Sequence, residues 1–277
     1  MVIRLAIIHI SKRRWDVIDF FVKSATWSIS ITTLIFTFVP ETYFEKNIIL
    51  NRILTLLFVF IIVIIFYWIF LVCRRSVTFK GHNYKIKVEY GDILKMNNCK
   101  KVINFDECYT TSVGNAPGDI KPTSVCGQYL KIYPDLDVEK LIKKSKLKAE
   151  NERSQYMGKK KYESGKLVSN GDDLLMSFAK LDADGIGKFF SHKEFLDCLF
   201  LLWKEIDKYY GQKDVCIPIL GSGLTRINET LLTQQELLDI IINSYKLSPH
   251  KIKSPYKLHI VCKKNDDFSL NKIGKFI

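Results

Sequence analysis

Carboxylates are scarce in this sequence. There are 29 Asp and Glu against 42 Lys and Arg, which gives a formal net charge of +13 and an isoelectric point near 9.3. That balance excludes attraction to basic partners and favours anionic ones: nucleic acid, anionic lipid or a phosphorylated small molecule. Paired cysteines are lacking as well. Cys73, Cys99, Cys108, Cys126, Cys198, Cys216 and Cys262 are odd in number and show no CxxC spacing. This argues against a zinc ribbon or a disulfide framework and reads as reduced core thiols in a cytosolic setting. His9, His82, His192, His250 and His259 are dispersed, none at ligand spacing from a Cys or a carboxylate. No GxSxG, HExxH or Walker A run occurs. No catalytic residue, metal or cofactor is therefore assigned, and the expectation is a protein that is not an enzyme.

What is abundant is apolar sequence, at 47% of residues, and it is concentrated in the first quarter. Ile53–Cys73 carries no charge. At about 1.5 Å per residue it is long enough to cross a hydrocarbon core. Val17–Val39 is a second, weaker segment, with Asp19 and Lys23 four residues apart in its first turns. No small-residue cleavage site follows it, which argues against a signal peptide. Residues 1–75 thus read as a transmembrane hairpin with spans at 17–39 and 53–73, and residues 76–277 as a soluble domain. Arg4, Lys12, Arg13 and Arg14 precede the first span; Arg74, Arg75, Lys80, Lys85 and Lys87 follow the second. By the positive-inside rule both termini are cytoplasmic, the protein is a multi-pass protein of the inner membrane, and Pro40–Asn51 lies outside. Ser24, Ser28 and Thr32 recur every four residues, a spacing that lets helices approach closely in lipid, either within one chain or between protomers.

The soluble part alternates strand and helix patterns. Strands are expected at Asn83–Glu89, Lys101–Phe105, Val215–Leu220 and Leu258–Cys262. Helices are expected after the Ser191 and Glu194 capping box, through Tyr210, and over Thr230–Tyr245. That order indicates an α/β layered domain. Asp182, Asp184 and Gly187 invite an EF-hand reading, but Ile186 and Lys193 occupy positions that need oxygen ligands, so calcium is rejected. Glu139–Lys161 is lysine-rich: either a solvated face or a surface for anionic headgroups. Its sparse aromatics argue against nucleic acid.

The stretch that organises the domain is Asp214–Ile227, a buried strand running into Gly221-Ser222-Gly223. Glycines at a strand end let backbone amides approach a ligand, and the N-terminus of a helix starting nearby would favour a phosphate. Ligands of α/β sheets sit outside the carboxyl ends of strands. Gly91-Asp92-Ile93 and Gly221-Ser222-Gly223 are both expected there.

Gly91-Asp92-Ile93 after a strand, together with Ile217–Leu224, resembles the macro domain, a three-layer α/β/α reader of ADP-ribose with a mixed sheet. Val102–Thr111, Ser124–Leu130 and Gly221–Ile227, behind a two-helix hairpin, resemble more narrowly the membrane-anchored macro effectors of type II Thoeris anti-phage defence. The resemblance implies that Asp92, beside Ile93, holds the adenine amino group and that Gly221, Ser222, Gly223 and Leu224 wrap the diphosphate, with Thr225 also among the ligand-binding residues. Glu107, Tyr109, Thr110 and Arg226 are the candidates for the distal ribose and a conjugated group. Arg226 could equally close an internal salt bridge. The catalytic Asn-Ala-Ala-Asn segment of macro hydrolases is replaced around Asn104–Thr110, which favours sensing over hydrolysis. The implied ligand is an ADP-ribose derivative, histidine-ADP-ribose in type II systems, made by a TIR-domain partner that consumes NAD. Binding would drive self-association and disruption of membrane lipid. A tethered ADP-ribosyl hydrolase and an ADP-ribose-binding adaptor are the alternatives.

Overall fold

The computed structural model describes residues 21–38, 48–189, 191–223, 225–227, 230–265 and 268–273. The chain divides into two compact units, Met1–Arg74 and Arg75–Ile277.

The first unit contains two helices that are long and apolar enough, by length and composition, to cross a membrane. Helix α1 is Phe21–Phe38, with mean hydropathy 1.2. Helix α2 is Ile48–Cys73, whose stretch Ile49–Cys73 reaches 3.2. It begins before the expected Ile53, because Ile48, Ile49 and Leu50 continue the apolar helical run. Asp19, Val17 and most of the expected loop lie outside the described residues. Ser24, Ser28 and Thr32 are buried, so their stripe is turned toward protein within one chain. The hydroxyls of Thr26, Ser30, Thr33 and Thr37, on exposed turns of α1, each donate to the carbonyl four residues back. That bond satisfies a hydroxyl inside its own helix, the requirement for a polar group in an apolar solvent.

The second unit is built on a mixed sheet. Its strands are β1 (Ser76–Gly81), β2 (Tyr84–Tyr90), β3 (Cys99–Asp106), β4 (Leu167–Asn170), β5 (Asp173–Leu181), β6 (Gly187–Phe189), β7 (Asp214–Pro218), β8 (Arg226–Ile227) and β9 (Leu258–Cys262). Their order is β1-β2-β9-β7-β3-β5-β6-β8, with β4 paired to β5. The five neighbours β2, β9, β7, β3 and β5 are mutually parallel. Parallel strands covered on both faces carry near-continuous apolar runs. Accordingly Val102 and Ile103 on β3, and Leu174 and Leu175 on β5, are all fully buried on alternating faces.

Helices cover the two faces. On one face, α5 (His192–Tyr209) and α6 (Gln234–Leu247) pack over Val88, Val102, Leu174, Ile217 and Ile260. The amphipathic spacing of Phe195, Leu199, Leu202, Trp203 and Ile206 gives α5 a wide apolar face. Trp203 is buried and donates its indole N–H to Ser244 Oγ at 3.1 Å, tying α5 to α6. On the other face, α3 (Val125–Ile132) and α4 (Val138–Lys144) pack over Ile103, Phe105 and Leu175. Each large apolar side chain so buried contributes about 1.5–3 kcal/mol relative to exposure. The expected three-layer α/β/α architecture is therefore present, with a mixed sheet.

Candidate functional site

Because β2, β9, β7, β3 and β5 run parallel, their carboxyl ends lie along one edge of the sheet. The residues that leave that edge are Gly91-Asp92 from β2, Lys263 from β9, Ile219–Gly223 from β7, Glu107–Thr110 from β3 and Asp182 from β5. The two glycine stretches singled out in the sequence thus stand at the same edge, with only β9 between β2 and β7. The Gly91 N–H donates to the Cys262 carbonyl at 3.0 Å, which fixes the start of this turn to β9.

Asp92 caps the short 3-10 turn Ile93–Lys95. Its Oδ1 accepts from the Leu94 N–H at 3.1 Å, while Oδ2 is 4.0 Å from Lys95 Nζ. The side chain keeps 42% of its surface exposed. One oxygen therefore positions the carboxylate, and the other, paired only at 4.0 Å with the exposed Lys95, can accept from a ligand amine. Ile93 is buried against Cys99, Cys216 and Val261, and this packing anchors Asp92 from below.

Gly221 has φ +84°, a left-handed conformation that a side chain strains, and a Cβ there would lie 3.3 Å from Leu237 of α6. It sets the turn that carries Ser222 and Gly223 outward. Both are exposed, and space around Gly223 is open to 4 Å. Leu224 lies outside the described residues. Thr225 is half-buried, and Arg226 is exposed on β8, in register with Lys188 of β6. The helix-terminus expectation is corrected. Helix α6 begins only at Gln234, and its N-terminal amides are held by its own capping box, Thr233 with Glu236. A carboxylate already occupies the place a phosphate would take.

The β3 end differs. Glu107 is buried, and its Oε1 accepts from Ser154 Oγ at 2.5 Å and from the Leu181 N–H at 3.2 Å. Its backbone binds Ala179 and Tyr162. Glu107 thereby joins the turn after β3, the 150–162 segment and the end of β5. Tyr109 packs as a core residue. It is 4% exposed, and its hydroxyl accepts from the Ser177 N–H at 3.1 Å and lies 3.3 Å from the carbonyls of Lys166 and Leu175. Burial pushes its phenol far above the ordinary range. Its ring packs on Phe105 and Tyr162. Thr110 donates its N–H to Asp106 Oδ1 at 3.1 Å.

Asp106 is the residue that sequence reasoning missed. It is 6% exposed, and its Oδ1 receives the N–H groups of Cys108 and Thr110. Its Oδ2 and the Thr110 Oγ1 are buried without a well-formed hydrogen bond. Burial raises the Asp106 carboxyl; Thr110 and the Cys108 N–H oppose that. The signal available in the sequence was an Asp two residues before Cys108 and four before Thr110, an Asx-type turn. Beside it, burial pushes the Cys108 thiol up to about 11, so it is protonated at neutral pH and is no activated nucleophile.

Three loops close this half of the edge. Gly118 (φ +75°) and Gly185 (φ +74°) meet so tightly that a Cβ on Gly185 would sit 2.5 Å from the Gly118 nitrogen. Tyr156 lies on both glycines and donates its hydroxyl to the Pro117 carbonyl at 2.6 Å. Asp182 accepts from the Asp184 and Ile186 N–H groups and pairs with Lys188 at 3.2 Å, which makes it a turn former. Among the described residues no cluster of three His, Cys, Asp or Glu is arranged to hold a metal.

The family model described as "Thoeris protein ThsA, Macro domain" matches residues 86–263. The chain is 28% identical over 258 residues to a Thoeris protein ThsA of Bacillus amyloliquefaciens (strain Y2), covering 88% of this chain and 86% of that one. Among solved structures it is similar to a point mutant of the Oceanobacillus iheyensis macrodomain, at 9% identity and TM-score 0.41, covering 69% of this chain and 91% of that one. It is also similar to that macrodomain with ADP, at 7% identity and TM-score 0.40, covering 69% and 89%. The family model spans more than half of the 277 residues, and this chain belongs to the Thoeris ThsA family, with the macro domain as its second unit.

Proposed function

We propose that this protein is a membrane-anchored Thoeris effector whose macro domain senses an ADP-ribose-derived signal and does not turn it over. The reading continues as follows. A TIR-domain partner makes the signal from NAD, and a histidine conjugate of ADP-ribose is its candidate form. Binding drives self-association, and α1 and α2 then disrupt the membrane, with both termini on the cytoplasmic side. The observation that carries this is the pairing, on one sheet edge, of a half-exposed Asp92 carboxylate with the open Ser222-Gly223 backbone. A carboxylate that accepts from an adenine amine, set apart from amides that receive a diphosphate, is the polarity an adenosine diphosphate derivative requires. Sensing is favoured over hydrolysis because Glu107 is occupied by its own chain and Cys108 is protonated. Self-association requires the signal to bind the assembled state more tightly than the resting one.

The test is titration of the full chain in lipid nanodiscs with ADP-ribose and with its histidine conjugate, read by calorimetry, alongside dye leak from vesicles. The expected result is tighter binding of the conjugate, loss of at least about tenfold in affinity in Asp92→Ala, and leak only when ligand is bound. No heat from either ligand with a folded chain would overturn the sensor reading. Steady release of free ADP-ribose from the conjugate would replace it with the hydrolase reading.

A further inference from the structure

Positive charge in the second unit is gathered by the topology. Two long stretches contain no Asp or Glu, residues 53–88 and 240–265. After α2 the first holds Arg74, Arg75, Lys80, Lys85 and Lys87; the second holds Lys246, Lys251, Lys253, Lys257, Lys263 and Lys264. They are far apart in sequence, yet β2 pairs with β9 along Ile86–Tyr90, and the Ser254 N–H donates to the Asn83 carbonyl at 3.1 Å. The two acid-free runs therefore meet at the β1 edge of the sheet.

Some of these cations have work inside the fold. Lys87 pairs with Glu89 at 2.6 Å. The Lys251 ammonium is held by the carbonyls of Tyr245 and Ser248, closing the end of α6. Lys263 and Lys264 stand at the carboxyl edge of the sheet. Lys246 lies over the Phe79 ring of β1 at 5.9 Å, and Lys257 is tied by its backbone to Asp214 and Val215 on the β7 side. Of the lysines, Lys80, Lys85 and Lys253 remain. Lys80 and Lys85 lie directly opposite each other in the β1–β2 register, a like-charge pair that destabilises a hairpin unless an anion joins it. Lys80 and Lys253 are exposed. Leu247, next to Lys246, leaves 77% of its surface exposed on the same acid-free segment. Lysines on an edge strand also discourage edge-to-edge pairing, but Lys253 is not on that strand. Two residues, Arg74 and Arg75, separate α2 from β1 in the sequence.

We propose that the β1 edge, through Lys80, Lys85 and Lys253, is a docking surface for anionic lipid headgroups. This rests on the reading of α1 and α2 as membrane spans. Charge complementarity carries it: a polybasic patch next to a span is attracted to an anionic leaflet, and the attraction falls within a Debye length. Among the described residues no carboxylate pairs with Lys80 or Lys85, the lipid phosphates supply that anion, and Leu247 adds an apolar contact at the interface.

The experiment compares the full chain in nanodiscs of phosphatidylcholine alone and of phosphatidylcholine with phosphatidylglycerol. A water-soluble acetylating reagent is applied, and each lysine is read by mass spectrometry without any nucleotide ligand. Acetylation of Lys80, Lys85 and Lys253 should slow by about fivefold in the anionic discs and recover in high salt, while Lys140 and Lys144 on α4 stay unchanged. In K80E/K253E, Lys85 should react equally in both discs. Equal rates for the native chain in both discs, or salt-insensitive protection in both, would overturn the proposal. Protection by free glycerophosphate over neutral discs would overturn the lipid assignment in favour of a soluble phosphate. A chain that never enters a nanodisc would overturn the membrane-span reading itself, and the docking surface with it.

Discussion

The two halves of the sheet's carboxyl edge present similar residue types to opposite ends. At the β2 and β7 ends, Asp92 and Ser222-Gly223 are held from below and left open above. At the β3 and β5 ends, Glu107 and Tyr109 are turned inward and bonded to the chain itself. A carboxylate or a tyrosine at a strand end is therefore not a ligand contact by position alone. What separates contact from framework is whether its polar atoms already have partners, because a buried group that has found one loses a good bond on turning elsewhere. The closed half is the frame against which the open half keeps its shape.

The sharpest way to break this comparison is at Tyr109. Tyr109→Ala should destabilise the domain by about 3–5 kcal/mol, the usual cost of emptying a buried aromatic site. Tyr109→Phe should cost about 1–2 kcal/mol through loss of the hydroxyl's bonds to Ser177, Lys166 and Leu175, while the Ser177 N–H keeps the Lys166 carbonyl at 3.0 Å. Thermal unfolding of the full chain in detergent, followed by calorimetry, measures both. If Tyr109→Phe kept its stability and lost ADP-ribose binding, the phenol would belong to the open half after all.

Next come the two glycines of one turn, which the comparison sorts differently. Gly221→Ala places a side chain at φ +84° against Leu237 and should cost about 1–3 kcal/mol. Gly223→Ala meets open space, so its stability should change by less than about 0.5 kcal/mol while ligand affinity falls. Equal stability losses in the two would mean that Gly223 is framework as well. Glu107→Ala should cost about 1–3 kcal/mol through the unpaired Ser154 hydroxyl and Leu181 amide, and Glu107→Gln less, because its amide oxygen still accepts.

The open half was legible in the sequence and the closed half was not, for a physical reason. Gly91-Asp92 and Gly221-Ser222-Gly223 follow strands whose patterns are strong: Tyr84–Tyr90 alternates, and Asp214–Pro218 is apolar and bounded by turn signals. Leu258–Cys262 was read to the residue. One outer helix announced itself through the Ser191 cap; the other, expected over Thr230–Tyr245 from its amphipathic pattern, begins at Gln234 after the Thr233 cap. β5, by contrast, is buried along all of Asp173–Leu181 except Lys180. A fully buried strand has no polar alternation, so its run gives no period to read. Without β5 there was no way to see that Glu107 reaches Leu181 or that Tyr109 reaches Ser177, both long-range contacts. Asp106 stayed hidden because its role is set by burial, which a single Asp in a loop does not advertise.

Asp92→Ala is expected to act almost entirely on binding. The carboxylate caps a helix of three residues, so its loss should cost about 1 kcal/mol or less of stability. Affinity for ADP-ribose should fall by about tenfold or more if the open oxygen accepts from the adenine amine. Calorimetry on the mutant, with its unfolding midpoint as control, separates the two. A midpoint drop as large as that of Tyr109→Phe would move Asp92 into the frame.

The smallest effect concerns the ions beneath the open half. Lys87, Glu89, His259 and Asp214 form a chain across β2, β9 and β7: Lys87 to Glu89 at 2.6 Å, Glu89 to His259 at 2.6 Å and His259 to Asp214 at 3.0 Å. Burial pushes the Glu89 carboxyl up, but Lys87 and His259 together outweigh it and hold it below its ordinary value of 4.5. A folded-state pKa below the unfolded one means that the folded chain binds fewer protons. The stabilisation is then fully present above the unfolded value and lost as pH falls through the folded one. Glu89→Gln should therefore lower the unfolding midpoint at pH 7, and the gap from the native chain should narrow on acidification below the ordinary Glu range. The gap should be small and shrink further in salt, because the pair keeps contact with solvent. If it widened on acidification, Glu89 would be held protonated by burial and not charged by Lys87. The strands carrying Asp92 and Gly221 would then lack a working cross-strand ion pair of the kind that Lys101 and Asp173 make between β3 and β5 at 3.1 Å.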